Sequence, residues 1–433
     1  MSEEDTQNEL NDAMEKARSV ANTPPLNLNL GSGLAPPAEP KTPASEASPG
    51  AVSLGNVAAG LSPSNQRRVA ERKVISDEIP QGTACNLAFL GSGQGGSRMA
   101  ASFHDLGYRR IGLFNTADSD FAGLPDSIER HIQDIGGAGK DAERAAAAIA
   151  GKEGRIWDLL ERAWGEDVDL GLVCASLGGG TGSGTIESLM LTAKQYLAAK
   201  GKTPRVGALV SLPSPAEGQQ VCRNAIIALR RITKAKASPI LLIDNSKIDR
   251  LYRPGMSQLY NAANTKVSQL LNLFNILAAT PSPLMSFDRS EFLHVLDHGV
   301  CVMGAADISN VSPPAEVSEA IQDQLQENVL ADVDLSTGSK SGCLFVGDDA
   351  HMSNLGLEYF EAGFSRLNQM LQGQNPVVHR GVYPSTSPGL QTYAIVGGLK
   401  PPAGTLQRLA AAAKLTSGQL ADTGLAKFLN LND

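Results

Sequence analysis

The sequence predicts an α/β fold: a parallel sheet covered by helices, then a long central helix, then a second, α+β domain. Short apolar runs such as residues 86–90 and 170–175 alternate with helical patterns. Alternation of this kind produces a parallel sheet with helices on both faces. A long helical pattern follows at about 257–279. Beyond it, strand and helix patterns are mixed, which predicts the α+β domain, at 299–304, 315–328, 342–346 and 392–397.

These patterns divide the chain of 433 residues into five segments. Residues 1–80 are rich in Pro, Ser, Ala, Asn and Glu. Such a segment cannot bury enough apolar surface to offset its chain entropy, so we expect a disordered N-terminal arm. The other segments are the parallel-sheet domain at 81–255, the central helix at 256–280, the α+β domain at 281–402 and a partly helical C-terminal tail at 403–433.

Composition and charge argue against several classes of function. Aromatic residues make up 5% of the chain, which argues against an aromatic surface that stacks single-stranded nucleic acid. The formal net charge of −8 gives no electrostatic reason to bind DNA or an anionic membrane. The five cysteines are spread through the chain, mostly in apolar runs, as expected for buried thiols in a reducing compartment. Since no apolar stretch is long enough to span a membrane and the acidic N-terminus lacks a secretory core, we expect a cytoplasmic protein without a direct nucleic-acid partner.

Three glycine-rich turns lie next to predicted strands or helices, at 91–96, 136–139 and 178–184. Glycine permits positive φ and close approach of the backbone. A helix N-terminus adds free N–H groups and a partial positive charge. Together these features bind phosphate oxygens without a lysine. Because the carboxyl ends of parallel strands meet at one edge of a sheet, we expect the three loops to form a triphosphate site there.

The third loop, Gly-Gly-Gly-Thr-Gly-Ser-Gly at 178–184, carries most of this argument. It follows an apolar strand pattern and precedes a helical one. Each glycine costs chain entropy on ordering, so a turn with only a structural role would not need so many. We therefore interpret this segment as a phosphate-binding loop.

The first loop supports a second hypothesis. Residues 91–96 satisfy G-x-G-x-x-G, and Asp118 lies about two dozen residues downstream, as a dinucleotide-binding fold requires. An NAD-dependent oxidoreductase is therefore an alternative that rests on this loop. A Walker phosphate-binding loop is excluded, because Lys140 is followed by Asp141 and lacks a glycine at the required upstream spacing.

In sequence and in order, these loops resemble those of the tubulin/FtsZ superfamily, whose signature is the loop at 178–184. The resemblance covers about residues 84–400. It identifies 114–118 as a second nucleotide loop, 212–218 as a segment that combines Pro-Ser-Pro with Glu-Gly, and 243–247 as the strand end that contacts the base. It implies the tubulin/FtsZ fold: a Rossmann-like parallel-sheet GTPase domain, the central helix and the α+β C-terminal domain.

The same resemblance implies that GTP or GDP binds at these loops together with Mg²⁺, for which we assign no protein ligand. The residues predicted to contact the nucleotide are Gly91, Ser92, Gly93, Gln94, Gly95, Asn115, Ala117, Gly137, Ala138, Gly139, Glu143, Gly178, Gly179, Gly180, Thr181, Gly182, Ser183, Gly184, Pro213, Glu217, Asn245 and Asn264.

Selection of the base is assigned to Asn245 and Asn264. A side-chain amide is both donor and acceptor, so it can pair with guanine O6 and with the N1–H or the 2-amino group. Both residues match positions that contact guanine in the superfamily. Taken alone, each would be interpreted as an ordinary surface or capping residue.

Hydrolysis is assigned to Asp288 and Glu291, whose spacing puts both carboxylates on one face of a starting helix. In the superfamily, acids at this place orient the attacking water in the site of the neighbouring subunit, so a head-to-tail filament completes the site. Alternatively, Ser286 or Asp288 simply caps the helix and Glu291 complements its dipole. Because Ser286 replaces the asparagine usual in the superfamily, we expect slow hydrolysis.

Two further features depart from simple expectation. Arg144 follows Glu143 directly, whereas FtsZ proteins have an arginine further along, so the register of an arginine–phosphate contact stays open. His294 and His298 are four residues apart on a predicted helix. Since no third ligand is evident, we interpret them as ordinary helix residues and not as a metal site.

The sequence as a whole predicts a cytoskeletal GTPase that polymerises with itself into filaments and is activated by that assembly. Relatives of this kind act in division, in cell-shape control and in the positioning of plasmids or viral genomes, and the sequence does not choose among these roles. The arm at 1–80 could bind an adaptor. Together with the altered Ser286, that arm also favours an alternative, a nucleotide-binding scaffold that polymerises weakly.

Overall fold

The structure is a computed structural model that describes residues 82–251, 256–310, 313–353, 355–386 and 388–415. The N-terminal arm at 1–80 lies outside the described residues, as does much of the tail at 403–433. Both therefore stay predictions.

Strands and helices alternate along the described chain. In order they are β1 (Leu87–Ser92), α1 (Gly93–His104), β2 (Ile111–Asn115), β3 (Glu129–Ile132), α2 (Ala142–Ile149), α3 (Glu153–Ala163), β4 (Leu170–Ser176), α4 (Gly180–Ala199), β5 (Val206–Leu212), α5 (Gln219–Lys234), β6 (Ile240–Asp244), α6 (Asn245–Leu251), α7 (Met256–Leu277), α8 (Arg289–Leu296), β7 (Val300–Asp307), α9 (Pro314–Gln326), β8 (Lys340–Asp348), α10 (Asp349–Met352), α11 (Leu357–Met370), β9 (Val377–Ser385), β10 (Leu390–Leu399) and α12 (Ala403–Ala412), with short 3₁₀ helices at Asp118–Phe121, Pro215–Glu217 and Leu335–Thr337.

These strands form one sheet in the order β3-β2-β1-β4-β5-β6-β7-β10-β8-β9. The strands from β3 to β7 in this order pair in parallel, as do β8 and β9, whereas β10 is antiparallel to β7 and β8. The chain reverses its direction of travel across the sheet between β1 and β4, and open α/β sheets bind ligands at such a switch point. The predicted α/β fold is confirmed; the division at 255 and 280 stays a prediction.

Strands β3 and β9 are absent from the sequence prediction, and helix α4 begins earlier than predicted. Both strands lie at an edge of the sheet and carry histidine and arginine at half-buried or exposed positions, so neither has the apolar run of a central strand. The helix predicted at 186–199 begins at Gly180. Its first turns are the glycine loop itself, where packing overrides low helix propensity.

Helix α7 matches the predicted central helix and is tied to the sheet by buried polar bonds. The Asn275 amide accepts a hydrogen bond from the Cys85 N–H at 2.8 Å and donates one to the Cys85 carbonyl at 2.9 Å. Tyr108 donates its hydroxyl to Asn272 Oδ1 at 3.0 Å. These bonds satisfy buried polar groups and fix the C-terminal half of α7 beside β1.

The cysteines are all buried free thiols, which confirms their predicted role as small core residues. Within the described ranges, no helix combines the length and apolarity needed to cross a membrane.

Candidate functional site

A cavity of about 600 Å³ opens at the carboxyl ends of the parallel strands. Its wall includes Ser92 at the end of β1, Ser176 at the end of β4 and Ser211 near the end of β5. Asn264 of α7 contributes to the same wall. The volume falls in the usual range for small-molecule sites, about 300–1,000 Å³, and the place is the switch point of the sheet.

The three predicted glycine loops come together at this cavity, and most of the predicted contact residues lie in its wall. Those in the wall are Ser92, Gly93, Gln94, Gly95, Ala117, Gly137, Ala138, Gly139, Gly179, Gly180, Thr181, Gly182, Glu217, Asn245 and Asn264. The predicted residues that lie outside the wall are Gly91, Asn115, Glu143, Gly178, Ser183, Gly184 and Pro213. Direct contact of any of them with a nucleotide stays a prediction.

Helices α1 and α4 begin in the cavity wall without a side-chain cap. Their N-cap residues, Ser92 and Gly179, make no capping hydrogen bond through a side chain. The first N–H groups of a helix have no intrahelical partner, and the helix dipole adds positive potential there. Two uncapped helix starts at one cavity are suited to binding phosphate groups.

Paired hydroxyl groups hold the loops together behind the wall. Thr116 Oγ1 lies 2.7 Å from Thr181 Oγ1, which joins the end of β2 to the start of α4. Ser92 Oγ lies 2.7 Å from Thr185 Oγ1 and joins the end of β1 to the same helix. Ser183 donates to the Leu177 carbonyl at 2.6 Å, so its hydroxyl closes the loop instead of facing the cavity.

Part of the glycine run at 178–184 is required by packing. A Cβ at Gly184 would lie 2.2 Å from the Ala142 carbonyl oxygen, and one at Gly182 would lie 2.7 Å from the Ser176 carbonyl oxygen. No glycine in this run has positive φ, whereas Gly93 and Gly137 do, at 69° and 86°. Close backbone approach therefore accounts for some of these glycines, and phosphate binding by the loop stays a prediction.

Asn245 lies in the cavity wall and carries a buried side-chain oxygen that has no partner among the described residues. Its Nδ2 lies 3.3 Å from Glu217 Oε1, and since a carboxylate only accepts, this bond fixes the amide orientation. Its Oδ1 is buried and has no hydrogen-bond partner in the described residues. Asn264 is half-buried in the same wall. A buried acceptor without a partner is costly, so this position suits an N–H donor of a base.

Asn115 and Glu143 do not reach the wall. Asn115 is buried and accepts the Thr116 N–H at 2.8 Å, and its Nδ2 has no partner among the described residues. Glu143 is exposed on the first turn of α2, which Asp141 caps. Arg144 donates to the Ile135 carbonyl at 2.6 Å and is likewise outside the wall.

Several wall residues are missing from the sequence prediction. Arg98 and Lys140 bring positive charge to the cavity, and Lys140 has positive φ, 64°. Tyr260 and Asn261 precede Asn264 by four and three positions on α7, so the helical period could have found them. Asp118, which the dinucleotide alternative requires, is exposed and outside the wall.

The wall also fits Mg²⁺ that arrives with phosphate groups. Mg²⁺ prefers oxygen ligands and usually keeps several waters beside one or two carboxylates and the substrate phosphates. Asp120, Glu217 and the Thr181 hydroxyl are the kinds of oxygen ligand this requires. No cluster of three or more metal-ligating side chains occurs in the described part of the chain.

The predicted catalytic acids lie in a second place, at the start of α8. Asp288 is the N-cap: its Oδ1 accepts the Glu291 N–H at 2.9 Å and the Ser290 hydroxyl at 2.7 Å. Glu291 Oε2 accepts the Asp288 N–H at 3.1 Å, which completes a capping box. The Glu291 N–H bond, with help from Ser290, lowers the pKa of Asp288 below its usual range. Thus the capping alternative describes these acids in the isolated subunit.

The loop before α8 is fixed to the C-terminal part of the sheet. Tyr383 of β9 accepts the Phe287 N–H at 2.8 Å and donates to the Leu277 carbonyl at 3.1 Å. Ser286 accepts the Ser282 N–H at 2.9 Å, so it closes the loop on itself. Leu284 is 59% exposed although it is apolar.

The prediction that His294 and His298 lie on one helix is wrong. His294 lies in α8, but the helix ends at Leu296. His298 follows it, and its Nδ1 lies 2.6 Å from the His294 carbonyl. A third histidine, His379 of β9, contacts both Glu291 and His294, and nothing in the sequence pattern indicates this contact.

Comparison with known proteins gives relatives along most of the described chain, although no family model matches. The chain is 26% identical over 329 residues to the tubulin-like protein TubZ of Bacillus cereus, covering 67% of this chain and 72% of that protein. It is 26% identical over 336 residues to the tubulin-like protein CetZ2 of Haloferax volcanii, covering 72% and 88%.

Solved structures of tubulin-like proteins have a similar fold. A GTPγS-form protofilament of TubZ from Bacillus thuringiensis serovar israelensis superposes with a TM-score of 0.66 at 19% identity, covering 82% of this chain and 96% of that one. The GTPγS-bound protofilament of CetZ2 from Haloferax volcanii gives a TM-score of 0.64 at 22% identity, covering 76% and 98%.

The fold and the cavity define the class, an α/β protein whose cavity at the switch point of a parallel sheet has the form of a nucleotide site. Within that class, the chain has the tubulin/FtsZ fold, and in sequence it is similar to the tubulin-like proteins TubZ and CetZ2.

Proposed function

We propose that this chain is a cytoskeletal GTP-binding protein that polymerises into filaments and hydrolyses GTP where two subunits meet. The observation that carries the proposal is the convergence of three glycine loops and two uncapped helix starts on one cavity. Asn245, whose buried Oδ1 is unpaired among the described residues, lies in the wall of the same cavity. The helix starts match phosphate groups, and the oxygen matches the N1–H or 2-amino group of guanine.

The position of the acids favours a site that a second subunit completes. Asn264 lies in the cavity wall, and α7 continues to Leu277 before the loop that leads to Asp288. At 1.5 Å per residue this part of α7 spans about 20 Å. That span is too long for the acids to act in the cavity of their own subunit. In a head-to-tail filament they would face the cavity of the next one.

The residues at the start of α8 suit such a contact. Asp288 is exposed, and Oδ2 of its carboxylate has no hydrogen-bond partner among the described residues. Hydrogen bonds to Oδ1 lower its pKa, so the carboxylate is ionised at neutral pH and can accept a hydrogen bond from water. The exposed apolar Leu284 nearby is of the kind that an interface covers. Mg²⁺ bound with the phosphates would supply charge neutralisation.

The test is the dependence of turnover on protein concentration. Full-length protein with GTP and Mg²⁺ should show a steep rise in GTPase rate per molecule above a critical concentration, together with sedimentable filaments in electron micrographs. Equilibrium titration should show GTP binding more tightly than ATP or NAD. A rate per molecule that is constant across the concentration at which filaments form would overturn activation by assembly.

A second candidate is a nucleotide-binding scaffold with weak polymerisation. One observation favours it: Asp288 and Glu291 already satisfy each other in a capping box, so both have a structural task. It predicts GTP binding with few or no filaments and little turnover at any concentration. In either case the arm at 1–80 is a candidate adaptor-binding segment, and imaging a tagged copy in its native cell with and without the arm would test that role.

A further inference from the structure

A chain of three side chains connects α8 to the edge strand β9 beside the proposed hydrolytic acid. Glu291 Oε1 lies 3.0 Å from His379 Nδ1, and His379 Nε2 lies 3.0 Å from His294 Nδ1. The His379 side chain is only 13% exposed and that of Glu291 is 29% exposed. The imidazole of His379 therefore bridges the acid and a second imidazole in a partly buried setting.

The donors and acceptors in this chain can be assigned from chemistry. An ionised carboxylate only accepts, so the proton of the first contact belongs to His379 Nδ1. In a neutral ring the other nitrogen, Nε2, then accepts, and His294 Nδ1 donates to it. All hydrogen bonds point toward Glu291 and polarise one another. This arrangement holds the carboxylate with one oxygen on His379 and the other on the Asp288 N–H.

Burial and the neighbouring cationic groups favour the neutral form of His294. Burial, followed by His379, His298 and Lys340 of β8, lowers the pKa of His294, and the carboxylate of Asp297 opposes this effect.

Further charged groups lie on the elements around His379. On β9 itself, Arg380 pairs with Glu361 of α11 at 2.7 Å. From α8, Asp288 is close enough for the charge of His379 to contribute to its lowered pKa.

We propose that His379 is a positioning residue for hydrolysis, which orients Glu291 for the neighbouring subunit and withdraws it when the pair of His379 and His294 takes up a proton. The proposal rests on the proposed function, in which Glu291 acts across the subunit contact. One added proton places an imidazolium against the carboxylate, which stabilises its ionised form. Glu291 is then a poorer acceptor for water. Since histidine titrates near pH 6.5 and the pKa of His294 is lowered, turnover should decline on the acid side of about pH 6.5.

The experiment compares His379→Ala with His379→Asn in full-length protein. The alanine variant removes the bridge, and we expect turnover per polymerised subunit to fall about tenfold, as for one lost orienting interaction. The asparagine variant can keep a donor near the place of Nδ1 but does not titrate. It should recover most of the rate and lose the acid decline that the wild type shows between about pH 7 and pH 5.5.

A matched control is His351→Ala. His351 Nδ1 also contacts a carboxylate, Asp348 Oδ1, at 2.8 Å. It lies at the opposite end of the β8–β9 pair, because His379 is opposite Gly342 whereas Asp348 is opposite Ser385. This variant should keep both the rate and the acid decline. Binding of GTP to monomers should be unchanged in all three variants.

Glu291→Gln separates this inference from the proposed function, since glutamine preserves the capping box. If that variant turns over GTP at the wild-type rate, the proposed trans role of Glu291 fails and the positioning role fails with it. If it loses turnover while His379→Ala keeps the wild-type rate and pH profile, only the positioning role is overturned. Should His379→Ala not fold, His379→Asn decides: an acid decline equal to that of the wild type overturns the proposal.

Discussion

Helices α4 and α8 differ in how the free N–H groups of their first turns are satisfied. At Gly180 the first N–H groups of α4 have no side-chain cap and lie in the wall of a cavity. At Arg289 the first turn of α8 is closed by Asp288 and Glu291, each of which accepts a hydrogen bond from the backbone of the other. Every helix leaves such N–H groups without intrahelical partners.

Under the proposed function, the start of α4 receives a ligand and the start of α8 meets another subunit. An uncapped helix start costs stability unless something else binds there, and an anion is the natural occupant. A doubly capped start needs no ligand. Its acids are already held in place by the helix, so they can be presented to a neighbouring molecule at little further entropic cost.

The largest expected effect separates the two tasks of Asp288. Asparagine caps a helix about as well as aspartate, so Asp288→Asn should change the free energy of unfolding by less than about 0.5 kcal/mol. If the carboxylate acts on water, turnover in filaments should fall by about 100-fold or more. Turnover is measured as phosphate release per sedimented subunit, and stability by urea titration.

Asp334→Asn is the control for that variant, since Asp334 is an exposed cap of the 3₁₀ helix at Leu335–Thr337. It should leave turnover unchanged. Wild-type turnover in Asp288→Asn would mean that Asp288 serves α8 alone, and the scaffold alternative would then describe the protein better.

The next effect tests the uncapped end. In Gly182→Ala the new Cβ would lie 2.7 Å from the Ser176 carbonyl oxygen, so α4 must move away from the end of β4. Overpacking of this kind costs about 1–3 kcal/mol, and GTP affinity should fall by about 10–100-fold. Gly154→Ala in α3 is the control, because its Cβ would meet nothing within 4 Å. Equal GTP affinities of the two variants would contradict a fixed phosphate loop.

A smaller effect is expected at Asn245. Removing its amide in Asn245→Ala deletes one acceptor for the base, worth about 1 kcal/mol net, so GTP affinity should fall by about fivefold. ATP affinity should stay the same, because adenine has no donor at the same place. Competition titrations with both nucleotides measure the ratio. A parallel loss for ATP would show that Asn245 supports the cavity without selecting the base.

The two helix starts also differ in how far the sequence predicts them. The cavity end could be predicted because its loops follow apolar strands, and parallel strands bring their carboxyl ends together whatever the detailed packing. The packing of Gly184 against Ala142 could not be predicted from the sequence, because it depends on where α2 lies relative to α4. Tyr260 and Asn261 share a helical face with Asn264 and could have been included.

At the α8 end, the capping pattern was readable from Asp288 and Glu291, but their surroundings were not. His379 lies 88 residues from Glu291 along the chain, on an edge strand whose two leading valines are only half-buried and are followed by His379 and Arg380. No local signal marks such a strand or its partner. The contact exists only because β9 pairs in register with β8, which is a property of the assembled sheet.

The smallest expected effect concerns the pH dependence of the α8 cap. Hydrogen bonds from the Glu291 N–H and Ser290 lower the pKa of Asp288 in the folded state, so the ionised carboxylate stabilises the fold. This contribution is complete above the unfolded value, about 3.9, and is lost as the pH falls through the lower folded value. The difference in unfolding free energy between wild type and Asp288→Asn should therefore be constant from pH 7 to about pH 5. It should shift against the wild type below about pH 4. Because Asp288 is exposed, the change should stay small. A change that begins above pH 5 would mean that the folded protein raises this pKa and that Asp288 is not held as a cap.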